Sequence, residues 1–302
     1  MSQPTLVNIA SRILNRPLLL HPSKAEVLLH VLQGRLPIDG ATLPPLSSDA
    51  NRFIGRRTRP DGSTRFNRAV KGVAIITIEG SLVNRGAWIG ANSGLVSYEG
   101  IAAQLRDAAG DDTIHTVLLD IDSPGGEATG MYATAKLVAE VAADKRVVAF
   151  VNAMAASAAY GIASQAAEIV VSPTSIVGSI GVVLTHLDRS GALEQEGVKA
   201  TLIYAGAHKV DGHPFGPLSD TVKADLQAEV ETIYDTFVNL VAEGRGSRLS
   251  AEQARATEAR AFLGAEGSHP PMIYPEALLT NATDPADGVF HEALFGAEAR
   301  TA

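Results

Sequence analysis

The chain has 302 residues, 46% of them hydrophobic but only 5% aromatic, a formal charge of −8 and no cysteine. Its length suits one large α/β domain with extensions, or two modest ones, with Ala, Val, Leu and Ile filling the core. The acidic balance argues against a general nucleic-acid binder, and the missing thiols exclude disulfides, thiolate catalysis and cysteine-ligated zinc.

Residues 1–10 lack the basic start, long apolar core and small-residue cleavage site of a secretion signal, so none is expected. Ser23-Lys-Ala-Glu26 has capping-box spacing ahead of Val27, Leu28, Leu29, Val31 and Leu32, which predicts a short amphipathic helix to Gln33. Pro37, Gly40, Pro44, Pro45, Ser47 and Ser48 then lead into Arg52, Arg56, Arg57, Arg59, Arg65 and Arg68, the composition of a solvated linker. Residues 1–70 therefore read as an extension ahead of a core over 71–265.

From Val73 the pattern becomes that of a folded core. The apolar run predicts a strand over Val73–Glu79, then a Gly- and Ser-containing loop, a helix over Tyr98–Ala109, a strand over 116–122 and a helix over 127–143. From Val147 to Ala167 there is no charge for 21 residues, which matches the length of a membrane span. Asn152, Ser157, Ser164 and Gln165 interrupt the stretch, and β-rich residues 147–151 give way to an Ala-rich run, so a buried strand feeding a buried helix is expected instead.

Strands are expected over Glu168–Val171, 181–184 and 199–203, with a helix over 190–196, a long helix capped by Ser219 and reaching Glu243, and another opened by Ser250-Ala-Glu-Gln253. This alternation implies crossover connections and a mainly parallel sheet. Prolines 270, 271 and 275 break any helix in the divergent segment 266–302.

Three features carry chemistry. Asp122-Ser-Pro-Gly-Gly126 lies where a strand is expected to give way to a helix, and its glycines permit positive φ and close approach of a ligand to the backbone amides. Ser157 lies at a strand-to-helix junction, where it serves either as an N-cap or as a nucleophile. Lys209 lies in a loop with Gly206, Gly212, Pro214, Gly216 and Pro217. To act as a base near neutrality a lysine must be brought down from about 10.4 by burial or a neighbouring cation. A serine beside small residues and a neutral lysine together suit acyl transfer without histidine.

In this order, Asp122-Ser-Pro-Gly-Gly126, Ala155-Ala-Ser157-Ala-Ala-Tyr160, Val177-Gly-Ser179-Ile-Gly-Val182 and the segment from Gly206 to Pro214 resemble signal peptide peptidase A and its phage relatives, the head-maturation proteases of the protease C type. The resemblance spans about residues 73–264. It implies a crotonase-like or Clp-protease-like α/β fold, with Ser157 as nucleophile, Lys209 as general base and Ser179 orienting the lysine amine. Gly125, Gly126 and the amide of Ala158 would form the oxyanion and substrate-binding site, and no metal or cofactor is required.

The resemblance also implies a ring or dome of identical subunits, in which a lysine can reach a neighbour's serine. A protein substrate is expected to bind extended beside Gly125 and Gly126. Without a transmembrane helix, the setting implied is the bacterial cytoplasm or a phage procapsid, with scaffold or portal-associated proteins as substrates. Ala158 and Ala159 stand where the family commonly has glycine, which restricts the backbone there.

Three other readings remain open on the residues alone. A Ser-His-Asp hydrolase would draw on His186, Asp188 or His208, and an acyl-CoA enzyme of the crotonase type would use the glycine turn alone. An inactive capsid or scaffold component would use neither. His208 and His213 have only weak metal spacing.

Overall fold

In the computed structural model the structure describes residues 17–21, 57–58, 64–65, 68–70, 72–85 and 94–264. The helix expected over 23–33 and the segment 266–302 lie outside them.

The main sheet is built on two long parallel strands. β1 (Pro17–Leu20) belongs to a second sheet, and β2 (Arg57–Thr58) and β3 (Thr64–Arg65) form a small antiparallel pair inside the arginine-rich linker. β4 (Arg68–Val70) pairs antiparallel with β5 (Val73–Glu79), so the sheet begins slightly before Val73. Next come β6 (Ser81–Val83), β7 (Leu95–Ser97) and helix α1 (Tyr98–Ala109), whose N-cap Ser97 accepts a hydrogen bond from the Gly100 amide at 3.1 Å.

β8 (Thr116–Ser123) pairs in parallel with β5 and with β10 (Arg146–Ala156). Between them lie β9 (Gly125–Glu127) and α2 (Met131–Asp144). After β10 come α3 (Ala158–Ala163), β11 (Glu168–Val171), β12 (Ile176–Gly178) and β13 (Val183–Leu184). The chain ends its described course with α4 (Ser190–Gln195), the long α5 (Asp220–Arg245), α6 (Ala251–Ala256) and β14 (Ala261–Leu263). The architecture is the mixed α/β one expected, mainly parallel with crossover helices.

The alternation of strand side chains divides the core. Ala74, Ile76 and Ile78 of β5, with Val117, Leu119 and Ile121 of β8 and Val147, Ala149 and Val151 of β10, face α1, α2 and α3. Val73, Ile75, Leu118 and Val148 form a smaller cluster on the other face. The uncharged stretch from Val147 is a buried strand followed by the buried α3, and no helix among the described residues is long and apolar enough to cross a membrane.

Three expectations need correction. Residues 199–203 are not a strand: they are exposed, Ile203 to 96%, and no strand among the described residues pairs with them. The helix expected from residue 127 starts at Met131, because Gly125–Glu127 is a strand and Gly130, at φ +102°, makes the turn into the helix. Part of the expected extension, Pro17–Leu20, sits in the second sheet, whose order is β13-β1-β9-β6-β7, with Leu18, Leu19 and Leu20 buried.

Candidate active site

Ser157 follows the last residue of β10 and immediately precedes α3. Its backbone lies at φ +56°, ψ −120°, and its hydroxyl makes no capping hydrogen bond to the helix it precedes. The ordinary N-cap role is thus absent. Instead Oγ donates to the Gly181 carbonyl at 3.4 Å, while the Ser157 amide donates to the Gly178 carbonyl at 2.8 Å. Positive φ on a non-glycine residue costs on the order of 1–3 kcal/mol and persists only where surrounding packing enforces it. That enforcement is visible: α3 is buried along its whole length, and a Cβ at Gly161 would meet Met131 of α2 at 2.9 Å and Phe237 of α5 at 3.0 Å.

Ser179 emerges from the neighbouring strand at the same level. β10 and β12 are parallel with Ala156 opposite Gly178, so Ser157 and Ser179 are the next residues of adjacent strands. Ser179 also has positive φ, +54°, is nearly buried, and is held by its amide donating to the Arg260 carbonyl at 2.9 Å.

On the other side of β10, β8 ends at Ser123, opposite Ala155, and Pro124 turns the chain directly into β9. Ser123 is buried, and its Oγ accepts a 3.2 Å hydrogen bond from the Gly125 amide, fixing the turn. That role was missed in the sequence, where only the glycines stand out; the signal is the Asx/ST-turn tendency of a serine two residues before a glycine. Gly125 has φ +95°, and a Cβ built on it would lie 3.0 Å from Ser157 Cβ. A Cβ on Gly126 would lie 1.9 Å from the Leu82 carbonyl oxygen of β6, so only glycine fits. Tyr98, at the start of α1, donates its hydroxyl to the Glu127 carbonyl at 2.7 Å and pins the far end of β9. Burial, then the charge of Glu127, holds the Tyr98 phenol well above its usual range, so it remains a donor.

Ser157, Ser179, Gly125, Gly126 and Ala158 therefore gather at the ends of β8, β10 and β12. The edge of β9 where an extended substrate is expected to pair is taken by β1. Lys209 does not join the group through burial within one chain: it is exposed, in a run of turns where its amide donates to the Gly206 carbonyl at 3.1 Å.

The histidine-based alternative has little support. Asp188 accepts from the Ser190 amide at 2.8 Å ahead of α4, and the bond with Ser190 holds its carboxyl below the usual range. His208 pairs with Asp211 at 2.8 Å on the surface, and that hydrogen bond raises its pKa. Both partners are local, so neither residue is held toward Ser157.

A family model described as peptidase family S49 matches residues 139–283. The chain is 36% identical over 274 residues to the head-tail preconnector protein GP5 of Enterobacteria phage P21, covering 87% of this chain and 53% of that protein. It is 35% identical over 303 residues to the capsid assembly protease C of Escherichia phage lambda, covering 98% of this chain and 67% of that protein. A putative signal peptide peptidase SppA of Enterococcus faecium is 32% identical over 188 residues, covering 61% of this chain and 51% of its own length. The chain thus spans about half the length of the GP5 relative and two thirds of the protease C relative.

Proposed function

We propose, from the premise that the chain belongs to peptidase family S49, that it is a serine endopeptidase with a Ser157–Lys209 dyad, cleaving head or scaffold proteins during assembly of a phage capsid. The observation that carries the reading is Ser157 itself: a buried serine held at positive φ, released from capping duty and set beside the Gly125–Gly126 strand. The capsid setting rests on the two phage relatives.

In the proposed reaction, Ser157 Oγ attacks a substrate carbonyl carbon and its proton passes to Lys209 Nζ. The amides of Gly126 and Ala158 hold the developing oxyanion. Lys209 returns the proton to the leaving amine, and water hydrolyses the acyl-enzyme by the reverse sequence. Ser179 orients the amine. The base comes from a neighbouring copy: Lys209 lies on a stretch that also exposes Val198, Leu202, Ile203 and Tyr204, apolar surface that a monomer gains nothing by showing to water. Packing it against another subunit buries that surface and desolvates the amine in one step.

The test is cleavage of a candidate capsid scaffold protein by wild type, Ser157→Ala and Lys209→Ala. Each variant is expected to lose at least about 10³-fold in rate. Full cleavage by either one removes that residue from the mechanism.

A further inference from the structure

β1 lies between β9 and β13 and is antiparallel to both, with Leu18 opposite Glu127 and Val183, Leu19 opposite Gly126, and Leu20 opposite Gly125. Its hydrogen bonds fix the phase of the ladder. The Ala128 amide donates to the Pro17 carbonyl at 3.4 Å and the His21 amide donates to the Pro124 carbonyl at 2.8 Å. Directly opposed residues in an antiparallel ladder alternate between hydrogen-bonded and non-bonded pairs. Leu19 and Gly126, midway between those two bonded pairs, are therefore the pair that exchanges both bonds, and the Gly126 amide donates to the Leu19 carbonyl.

This is the amide assigned above to the oxyanion. The same carbonyl also lies close to Ser157: a Cβ built on Gly125 would fall 2.1 Å from the Leu19 carbonyl oxygen and 3.0 Å from Ser157 Cβ, so both crowd the same face of Gly125. The Leu19 side chain is fully buried, and Leu18 and Leu20 nearly so. A strand that merely closed a sheet edge needs no particular phase against Ser157. Here the phase puts the Leu19 carbonyl on the Gly126 amide and within reach of the serine.

We infer that Pro17–His21 is bound as the protein's own substrate strand, and that the assembled enzyme cuts its own chain between Leu19 and Leu20. The inference rests on the serine-peptidase reading and adds a substrate, a cleavage site and a preference for a leucine-sized apolar residue on the acyl side of the cut. In the step, Ser157 Oγ bonds to the Leu19 carbonyl carbon and loses its proton to Lys209. The Leu19 C–Leu20 N bond then breaks as Lys209 returns that proton to the Leu20 nitrogen, leaving residues 1–19 as an ester on Ser157. Water hydrolyses the ester, one proton returning to Ser157 Oγ and the product leaving with a new carboxyl end. Until that happens the strand fills the edge of β9 that any other substrate must use, so the first cut opens the groove.

The experiment follows the full chain by intact mass and amino-terminal sequencing as it assembles, with a candidate capsid scaffold protein supplied in trans. Wild type is expected to lose residues 1–19 and show a new amino terminus at Leu20, whereas Ser157→Ala stays intact. Leu19→Met is expected to be cut within about tenfold of the wild-type rate, because the swap conserves volume. Leu19→Asp is expected to slow the cut by about 100-fold or more, since the pocket must then take a buried unpaired charge. If the aspartate variant does not fold, the comparison of wild type with Ser157→Ala still decides. Cleavage of the scaffold protein with the Leu19–Leu20 bond intact, or a cut elsewhere in the leading segment, overturns this inference and leaves the peptidase reading standing. Failure to cut either substrate removes the peptidase reading and this inference with it.

Discussion

At Ser157 stability and chemistry pull in opposite directions. Positive φ costs a serine about 1–3 kcal/mol, while glycine at the same place costs only about 0.4–1 kcal/mol through the entropy of the unfolded chain. The strain is the larger effect, so Ser157→Gly is expected to stabilise the fold by about 1 kcal/mol, read as a rise in Tm, while abolishing cleavage. Tyr98 is the residue to test for control of the oxyanion strand from outside the reacting groups. Tyr98→Phe leaves the buried Glu127 carbonyl without its 2.7 Å donor, which costs about 1–3 kcal/mol in a thermal melt. It is also expected to lower kcat more than it raises KM, because the displaced group is the amide proposed to act on the transition state.

The element that positions Ser157, the proposed nucleophile, is α3, and α5 positions α3. Gln165 Nε2 donates to the Leu240 carbonyl of α5 and to Ser164 Oγ, each at 2.9 Å, and Gly244 lets the two segments touch. A Cβ at Gly244 would lie 2.3 Å from Gln165 Nε2 and 2.4 Å from the Ser164 carbonyl oxygen, and the latter is backbone and cannot swing away. Gly244→Ala is therefore expected to cost about 1–3 kcal/mol and to reduce peptidase activity, although it touches no reacting group. Arg245, one residue on, is buried, its Nε and Nη2 have no hydrogen-bond partner among the described residues, and burial pulls its guanidinium down to about 10. Its folded pKa lies below its unfolded one, so the penalty acts in full below about pH 10 and fades as the pH rises through that value. Arg245→Met is expected to hold or raise stability at neutral pH and to remove that alkaline gain, as chemical denaturation at pH 7 and pH 11 would show.

At the scale of the whole molecule, one chain brings Ser157 beside Gly125 but leaves Lys209 in solvent. A base supplied by a neighbour predicts complementation: Ser157→Ala and Lys209→Ala subunits, each inactive alone, are expected to recover part of the wild-type activity when mixed and assembled. Activity should also fall steeply on dilution below the assembly concentration, as sedimentation run beside a cleavage assay would show. Absence of recovery under conditions where the two variants co-assemble would place the base within the same subunit.

Most of the longer helices and strands from Val73 to the helix opened by Ser250, though not the short β6, β7, β9 and β12, were legible in the sequence because they depend on local pattern: runs of apolar residues and a capping serine before α5 and α6. Ser157 and Gly126 stood out for the same reason, since each belongs to a short local motif. What depends on pairing between distant segments was decided only by the tertiary structure. Pro17-Leu-Leu-Leu20 has no alternation to mark it as a strand, and it is one because it pairs with β9 on one side and β13 on the other. Residues 199–203 have the composition of a strand and are none: they stay exposed and pair with no strand among the described residues. A backbone amide or carbonyl cannot choose its partner from its own neighbours along the chain, so register, edge occupancy and the distance between serine and lysine belong to the folded molecule.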